Sequence, residues 1–327
     1  MSSSIATSVS SSHPKLGWIG LGSMGQAMAL NVQRHLTTLK APVLHFYNRT
    51  ATRGEPLTDI GGIQSPSIQD LINGIDICFI SVSDDNAATS IIKAILETSL
   101  EGKIIVDTST VHPDVSSWAQ QAVTEKGGKF VAAPVFGASP VAQQGRLLVV
   151  VAGADDAVSA IEPFLVGVLA RKILRVGEDA AKATLLKTTG NFLTAGLMEL
   201  VAESLVFATK ADLPIPALQS LLEEQYGALP HTISKRMTEG HYLPARGNRP
   251  WSDLQLAVKD VGLGVSCAEK VGAALPIAEV VLGHYEKANE YADTGNRALD
   301  SSSMFGVLRQ KAGLEFESEL VRERDSV

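Results

Sequence analysis

The chain has only two cysteines, Cys78 and Cys267, among 327 residues. Two thiols so far apart supply neither a disulfide framework nor a cysteine-rich metal site, so no metal centre is expected and both read as buried free thiols. A basic excess is also missing: 28 Lys and Arg stand against 35 Asp and Glu, a formal charge of −7. Nucleic acid and anionic membrane surfaces call for a concentrated basic patch, so neither is expected as a partner. No stretch of about 18 apolar residues runs free of charge or proline, and no membrane span is expected. The opening MSSSIATSVSSSHPK holds no arginine and no long apolar segment. Residues 1–14 read as a flexible tail that fits a secretory signal poorly; the cytoplasm is the expected location, with an organellar presequence left open.

What is present is a globular composition, 45% apolar and 19% charged, at a length that suits two domains. From Lys15 to about Arg175, helix-like segments alternate with the β-like runs KLGWIG, VLHFYN, DICFIS, KIIVDT, KFVAA, LLVVVAG and KILRV. That alternation predicts a mostly parallel sheet with helices on its faces over residues 15–178. From Asp179 the strand signals cease, and residues 179–327 read as successive helices broken at ADLPIP, GHYLPARGNRP and GAALP. The first helix, about Asp179 to Ala211, would run roughly 50 Å at 1.5 Å per residue. An element that long is expected to leave one domain and enter the next, with its middle at a boundary suited to a ligand.

WIGLGSMGQAM places Gly20, Gly22 and Gly25 in G-x-G-x-x-G spacing between a strand and a helix, with Leu21, Ser23 and Met24 completing the turn. The first glycine serves the tight turn, the second the approach of a pyrophosphate to the backbone, and the third the packing of helix on strand. The anion would then sit at the positive end of that helix. At the end of the next strand, where an NAD site usually carries an acid for the ribose hydroxyl, stand Asn48, Arg49 and Thr50. Arg49 can pair with a 2′-phosphate while Asn48 and Thr50 add hydrogen bonds, which predicts NADPH over NADH. The missing acid also counts against FAD.

Five blocks, GWIGLGSMG, VDTSTVHP, APVFGASPVAQQGRLLVVVAG, LLKTTGNF and LAVKDVGLG, follow one another between Lys15 and about Gly313. In order and spacing the chain resembles the β-hydroxyacid dehydrogenases. That family includes 3-hydroxyisobutyrate dehydrogenase and glyoxylate/succinic semialdehyde reductase, within the 6-phosphogluconate dehydrogenase superfamily. The resemblance implies an α/β Rossmann-like N-terminal domain, a long interdomain helix and an all-α C-terminal domain for substrate and dimerisation. It also implies hydride transfer between a nicotinamide and a small carboxylated alcohol or aldehyde, in a homodimer or homotetramer. Residue by residue, Lys187 matches the catalytic lysine and Asn191 its partner. Val82, Ser83 and Thr110 match residues near the cofactor, Lys259 a second lysine reaching cofactor and substrate, and Asp260 is assigned with it to the substrate side. The loop after APV, with Phe136, Gly137 and Ala138, matches the binder of the substrate carboxylate.

The residues themselves agree. At about 100° per residue, Thr184, Lys187, Asn191, Thr194 and Met198 share one sector of the long helix. Leu186, Leu193, Leu197 and Leu200 lie to one side, and Leu185 and Phe192 to the other, so the polar stripe is expected to be flanked by core. A desolvated lysine there can act as general acid toward a carbonyl oxygen and stabilise the charge that develops on it. Asn191, one turn on, can hold the geometry. One departure stands out: PVFGAS has Phe136 where the family commonly has serine, and Ala138 in place of a small polar residue or glycine. Phenylalanine cannot hydrogen-bond a carboxylate, although backbone N–H groups at Gly137 and Ala138 could receive one. Small semialdehydes and 2-oxo acids are the leading substrates, and a bulkier carbonyl or an imine comes next, although related imine reductases generally lack the lysine. A non-catalytic dinucleotide-binding interaction protein ranks third, against the intact Lys187–Asn191 pair.

Overall fold

The computed structural model describes residues 13–295 and 297–326, so nearly all of the expected N-terminal tail lies outside the described residues. The chain divides into two compact units, Met1–Thr184 and Leu185–Val327.

The N-terminal unit opens with β1 (Leu16–Ile19), α1 (Ser23–Leu39), β2 (His45–Tyr47), α2 (Glu55–Thr58), β3 (Ile63–Gln64) and α3 (Ile68–Gly74). It continues through β4 (Ile77–Ile80), α4 (Asp85–Ile95), β5 (Ile104–Asp107), α5 (Pro113–Glu125) and β6 (Lys129–Ala132). Then come β7 (Val135–Phe136), α6 (Ser139–Gln143), β8 (Leu147–Val151), α7 (Asp155–Leu165) and β9 (Ala170–Arg175). All seven strand runs read from the sequence form. The single sheet expected, however, is two: a six-stranded parallel sheet in the order β3-β2-β1-β4-β5-β6, and a three-stranded sheet β7-β8-β9 whose β7–β8 pair is antiparallel. The two extra strands, β3 and β7, are two residues long, too short for any periodicity to mark them. LGWI and ICFI are buried at every position, as central strands of a parallel sheet covered on both faces must be. The strand order reverses between β1 and β4, and the crevice at the carboxyl ends of such neighbours is where doubly wound sheets bind ligands.

The helical unit is built on α8 (Ala180–Lys210), α9 (Ile215–Leu221), α10 (Ala228–Thr238), α11 (Leu254–Lys270), α12 (Pro276–Gly295), α13 (Met304–Lys311) and α14 (Glu319–Asp325). Three of the breaks, after α8, α10 and α11, fall at the loops anticipated; those after α9, α12 and α13 are additional. The first turn of α8, at Ala180 and Ala183, packs into the core of the N-terminal unit. By length and composition alone α8 could cross a membrane. In the fold its charged Lys187 and Glu199 are buried and bonded to side chains of the helical unit.

The expected core flanks of the polar stripe on α8 form only in part, and exposed leucines stand on both sides. Thr184, Lys187 and Thr188 are buried, whereas Leu185 and Leu186 are exposed and Leu193 and Leu200 keep 63% and 57% of their surface. Only Phe192 and Leu197 of the flanking residues pack against the helical core. The physical reason lies on α11, which brings a carboxylate to the polar stripe, so the charged side turns inward and the leucines turn out.

Candidate active site

At the carboxyl end of β1 the chain makes the glycine turn. Gly20 has φ +95°, and a Cβ on it would stand 2.2 Å from the Ser81 carbonyl oxygen at the end of β4. A Cβ on Gly25 would meet the Gly20 carbonyl oxygen at 2.3 Å. Gly22, the residue before α1, has nothing among the described residues within 4 Å of that position and adds no side-chain cap to the helix. Two glycines therefore serve close packing and the third leaves an open approach to the first N–H groups of a 17-residue helix, a cradle that fits a pyrophosphate.

Around this turn the structure gathers most of the residues read as cofactor ligands. The Leu21 N–H donates to Asn48 Oδ1 at 2.8 Å, and Asn48 Nδ2 donates to the Thr50 carbonyl at 2.8 Å. The Asn48 amide is thus engaged at both ends, tying β2 to the glycine turn. Arg49 and Thr50 are exposed beside it. Arg53, which the sequence reading passed over, is exposed one turn further on, where its carbonyl accepts from Gln26 of α1 at 2.8 Å. Its signal was available as a second arginine at i+4 from Arg49. At the end of β4 the Val82 N–H donates to Ser109 Oγ at 2.9 Å, joining the loops after β4 and β5, and Ser83 Oγ donates to Asp84 Oδ2. Thr110 follows Ser109 in the β5 loop. Ser81 and Ser109 were also missed; their roles, backing Gly25 and bridging two loops, are visible only in three dimensions.

The PVFGAS loop lies next to this turn. Phe136 pairs with Leu148 across the small sheet and packs on the core that also takes Val82. Gly137, at φ +132°, leaves no room for a side chain, since a Cβ would come 2.7 Å from Leu147 Cδ2. Ala138 precedes α6 as its N-cap. Ser139 Oγ lies 3.8 Å from Met24 Sδ of the glycine turn, and Asn31 of α1 donates to the Ala142 carbonyl at 2.9 Å.

In the helical unit, Lys187, Asn191, Lys259 and Asp260 form one array. Lys187 Nζ donates to Asn191 Oδ1 at 2.8 Å, Asn191 Nδ2 donates to Asp260 Oδ2 at 2.7 Å, and Lys259 Nζ lies 2.9 Å from Asp260 Oδ1. An ionised carboxylate only accepts, so Asp260 turns the amide NH₂ of Asn191 toward itself and the amide oxygen toward Lys187. Lys187 is 7% exposed. Burial pulls its ammonium down to about 8, with Asp260 opposing that shift and Lys259 adding to it. A lysine snorkelling to solvent would show neither feature. Cys78 and Cys267 are buried and not joined by a disulfide, and burial pushes the Cys78 thiol up, away from reactivity.

A parallel sheet with a glycine turn at its switch point and a buried lysine array on the following helix define a nicotinamide-dinucleotide oxidoreductase. Residues 15–177 match the family model described as the NAD binding domain of 6-phosphogluconate dehydrogenase. Residues 181–308 match that described as NAD-binding of NADP-dependent 3-hydroxyisobutyrate dehydrogenase. The chain is 29% identical over 296 residues to the NADH-dependent oxidoreductase ucdB of Aspergillus ustus, covering 90% of this chain and 98% of that one. It is 28% identical over 302 residues to glyoxylate/succinic semialdehyde reductase 1 of Arabidopsis thaliana, with coverage of 90% and 98%. Among solved structures, 3-hydroxyisobutyrate dehydrogenase of Mycobacterium tuberculosis shares the fold, with a TM-score of 0.75 at 20% identity over 91% of this chain and 99% of that one. The chain belongs to the β-hydroxyacid dehydrogenase family. It is an oxidoreductase and uses a nicotinamide dinucleotide.

Proposed function

We propose that the protein is a cytoplasmic, NADPH-dependent reductase of a small carbonyl compound, a semialdehyde or a 2-oxo acid, with Lys187 as the general acid. When bound, the nicotinamide dinucleotide supplies the hydride. The turn Gly20–Gly25 would take the pyrophosphate, with Arg49, Thr50 and Arg53 at the adenosine 2′-phosphate and Val82, Ser83 and Thr110 toward the nicotinamide. Lys187 carries the assignment: an ammonium held near pH 8 is mostly protonated at neutral pH yet gives up its proton readily, the balance a general acid needs. As charge builds on the carbonyl oxygen, Lys187 stabilises it and then transfers the proton. Asn191 holds the ammonium in place, and Asp260 acts through Asn191 as a positioning residue. Lys259 lends its positive charge to an anionic substrate or cofactor, and the backbone at Gly137 and Ala138 receives a substrate carboxylate.

The experiment is a panel of substrates followed by loss of NADPH absorbance. Glyoxylate, succinic semialdehyde and other short oxo acids should turn over, and cyclic imines should not. Turnover confined to imines would transfer the chemistry to C=N reduction, with Phe136 shaping an apolar pocket. In the first case, Phe136→Ser should raise kcat/KM for carboxylated aldehydes by roughly tenfold, the worth of one hydrogen bond to a charged group.

Two copies of the chain are proposed to associate through α8. Leu186, Leu193, Leu200 and Phe207 are exposed at seven-residue spacing, and Ile277 and Val280 of α12 are exposed as well. Ile277 Cγ2 would lie 3.1 Å from a Cβ on Gly196, so the two helices meet along that face. Contiguous apolar surface of this kind marks an interaction site. Sedimentation should find a dimer or tetramer, and Leu193→Glu with Leu200→Glu should give monomers of unchanged helicity. A monomeric parent protein would dismiss the assembly.

A further inference from the structure

Burying a carboxylate or an imidazole is costly unless it is paired. In the helical unit Glu199 of α8 is 3% exposed and His284 of α12 is 6% exposed, and neither belongs to the lysine array. His284 Nδ1 lies 2.6 Å from Glu199 Oε1, and His284 Nε2 contacts Nζ of Lys311 at the end of α13. An ammonium can only donate, so Nε2 is the accepting nitrogen. The imidazole is therefore neutral, with its hydrogen on Nδ1 and donated to Glu199. The second oxygen of Glu199, Oε2, is buried and has no hydrogen-bond partner among the described residues. Lys311 is exposed and lines a cavity of about 350 Å³ together with Lys287, Glu290, Tyr291, Val307 and Gln310.

We propose that Glu199, His284 and Lys311 form a proton-operated latch, which ties α13 to α12 and α8 when deprotonated and frees Lys311 from His284 on uptake of one proton. The proton has two landing places. On Nε2 it would set an N–H against the Lys311 ammonium, two donors in direct contact, and the lysine must leave. On Glu199 Oε2 it removes the anion that draws the ammonium inward and leaves His284 donating to a neutral carboxyl. The pair titrates as a unit, and both microstates have the same outcome. Burial and then Glu203 push the Glu199 carboxyl up to about 7 against the pull of Lys311. Burial and then Lys311 hold His284 below its ordinary value.

The charged groups acting on the pair are Glu203 from α8 and Lys311 itself from α13, and Lys287 and Glu290 from α12 line the cavity beside Lys311. Tyr285, next to His284, is kept neutral by burial. Lys287 pairs with Glu290 at 3.0 Å, so a released Lys311 would share the Glu290 carboxylate with Lys287.

Nuclear magnetic resonance of the full chain between pH 8.5 and 5.5 tests the latch. At pH 8.5 His284 should be the Nδ1–H tautomer and the Lys311 Cε should be ordered; at pH 5.5 the Lys311 Cε should be mobile. Glu199→Gln, which keeps the shape and removes the charge, should leave Lys311 mobile at both pH values. Lys311 ordered at pH 5.5 in the parent, or still ordered at pH 8.5 in Glu199→Gln, would overturn the proposal. Should that variant fail to fold, Lys311→Gln decides instead. Without the opposing ammonium, the His284 titration midpoint should rise by about one pH unit, and an unchanged midpoint would equally overturn it.

Discussion

Lys187→Met should lower kcat for carbonyl reduction by roughly 10²- to 10⁴-fold, the range associated with losing a positioned general acid, while the Kd for NADPH changes less than about twofold. The two readouts separate chemistry from binding, because Lys187 is proposed to act on the substrate oxygen and the dinucleotide contacts lie elsewhere. The pH profile gives a third. With its ammonium held at about 8, the parent should lose reductase activity as pH rises through 8, and any residual activity of the variant should not follow that step. Stability should move the other way. The folded-state value lies below the ordinary 10.5, so the fold disfavours the protonated lysine. That penalty is fully present below pH 8 and disappears above about 10.5. Methionine removes it at pH 7, at the cost of leaving Asn191 Oδ1 short of a donor, and the unfolding midpoint should be no lower than that of the parent. A variant that keeps its reductase activity would remove Lys187 from the mechanism.

Arg49→Ala should reduce kcat/KM with NADPH by about 10- to 100-fold, as expected for losing a hydrogen bond between charged groups, and should change kcat/KM with NADH by less than about threefold. The parent itself should prefer NADPH. The comparison matters because the Aspergillus ustus relative is named as NADH-dependent. The end of β2 in this chain offers Arg49 and, one turn later, Arg53, both exposed. Equal losses with the two cofactors would mean that Arg49 shapes the loop without reading the phosphate. Equal or better use of NADH by the parent would reverse the cofactor assignment.

Most of the N-terminal unit was legible because its signals are local. A parallel-sheet strand buried on both faces is a short apolar run, and WIGLGSMG combines such a strand, a turn that only glycine can make, and a helix start. Three of the helical breaks, after α8, α10 and α11, were legible for the same reason, since proline and glycine act where they stand. The small sheet was not, because β7 depends on pairing Val135 and Phe136 with Val149 and Leu148, and two residues carry no period. Asn48 shows the limit within the site: the sequence marks it as a candidate ligand for the phosphate, but only the fold shows its amide tying β2 to the glycine turn through Leu21 and Thr50.

By itself the sequence determined the glycine turn, the order of domains, the long helix and the alignment of Lys187 with Asn191, all set by spacing along one element. Only the tertiary structure decided which side of that helix is buried. Hydrophobicity alone would have turned Leu193 and Leu200 inward. Asp260, 69 residues further along the chain than Asn191, instead supplies an acceptor to the polar stripe, so that side turns inward and Leu193 and Leu200 are left on the outer face proposed to meet a second copy of the chain. Glu199, His284 and Lys311 follow the same logic: three helices bring them together, and no local pattern announces the contact.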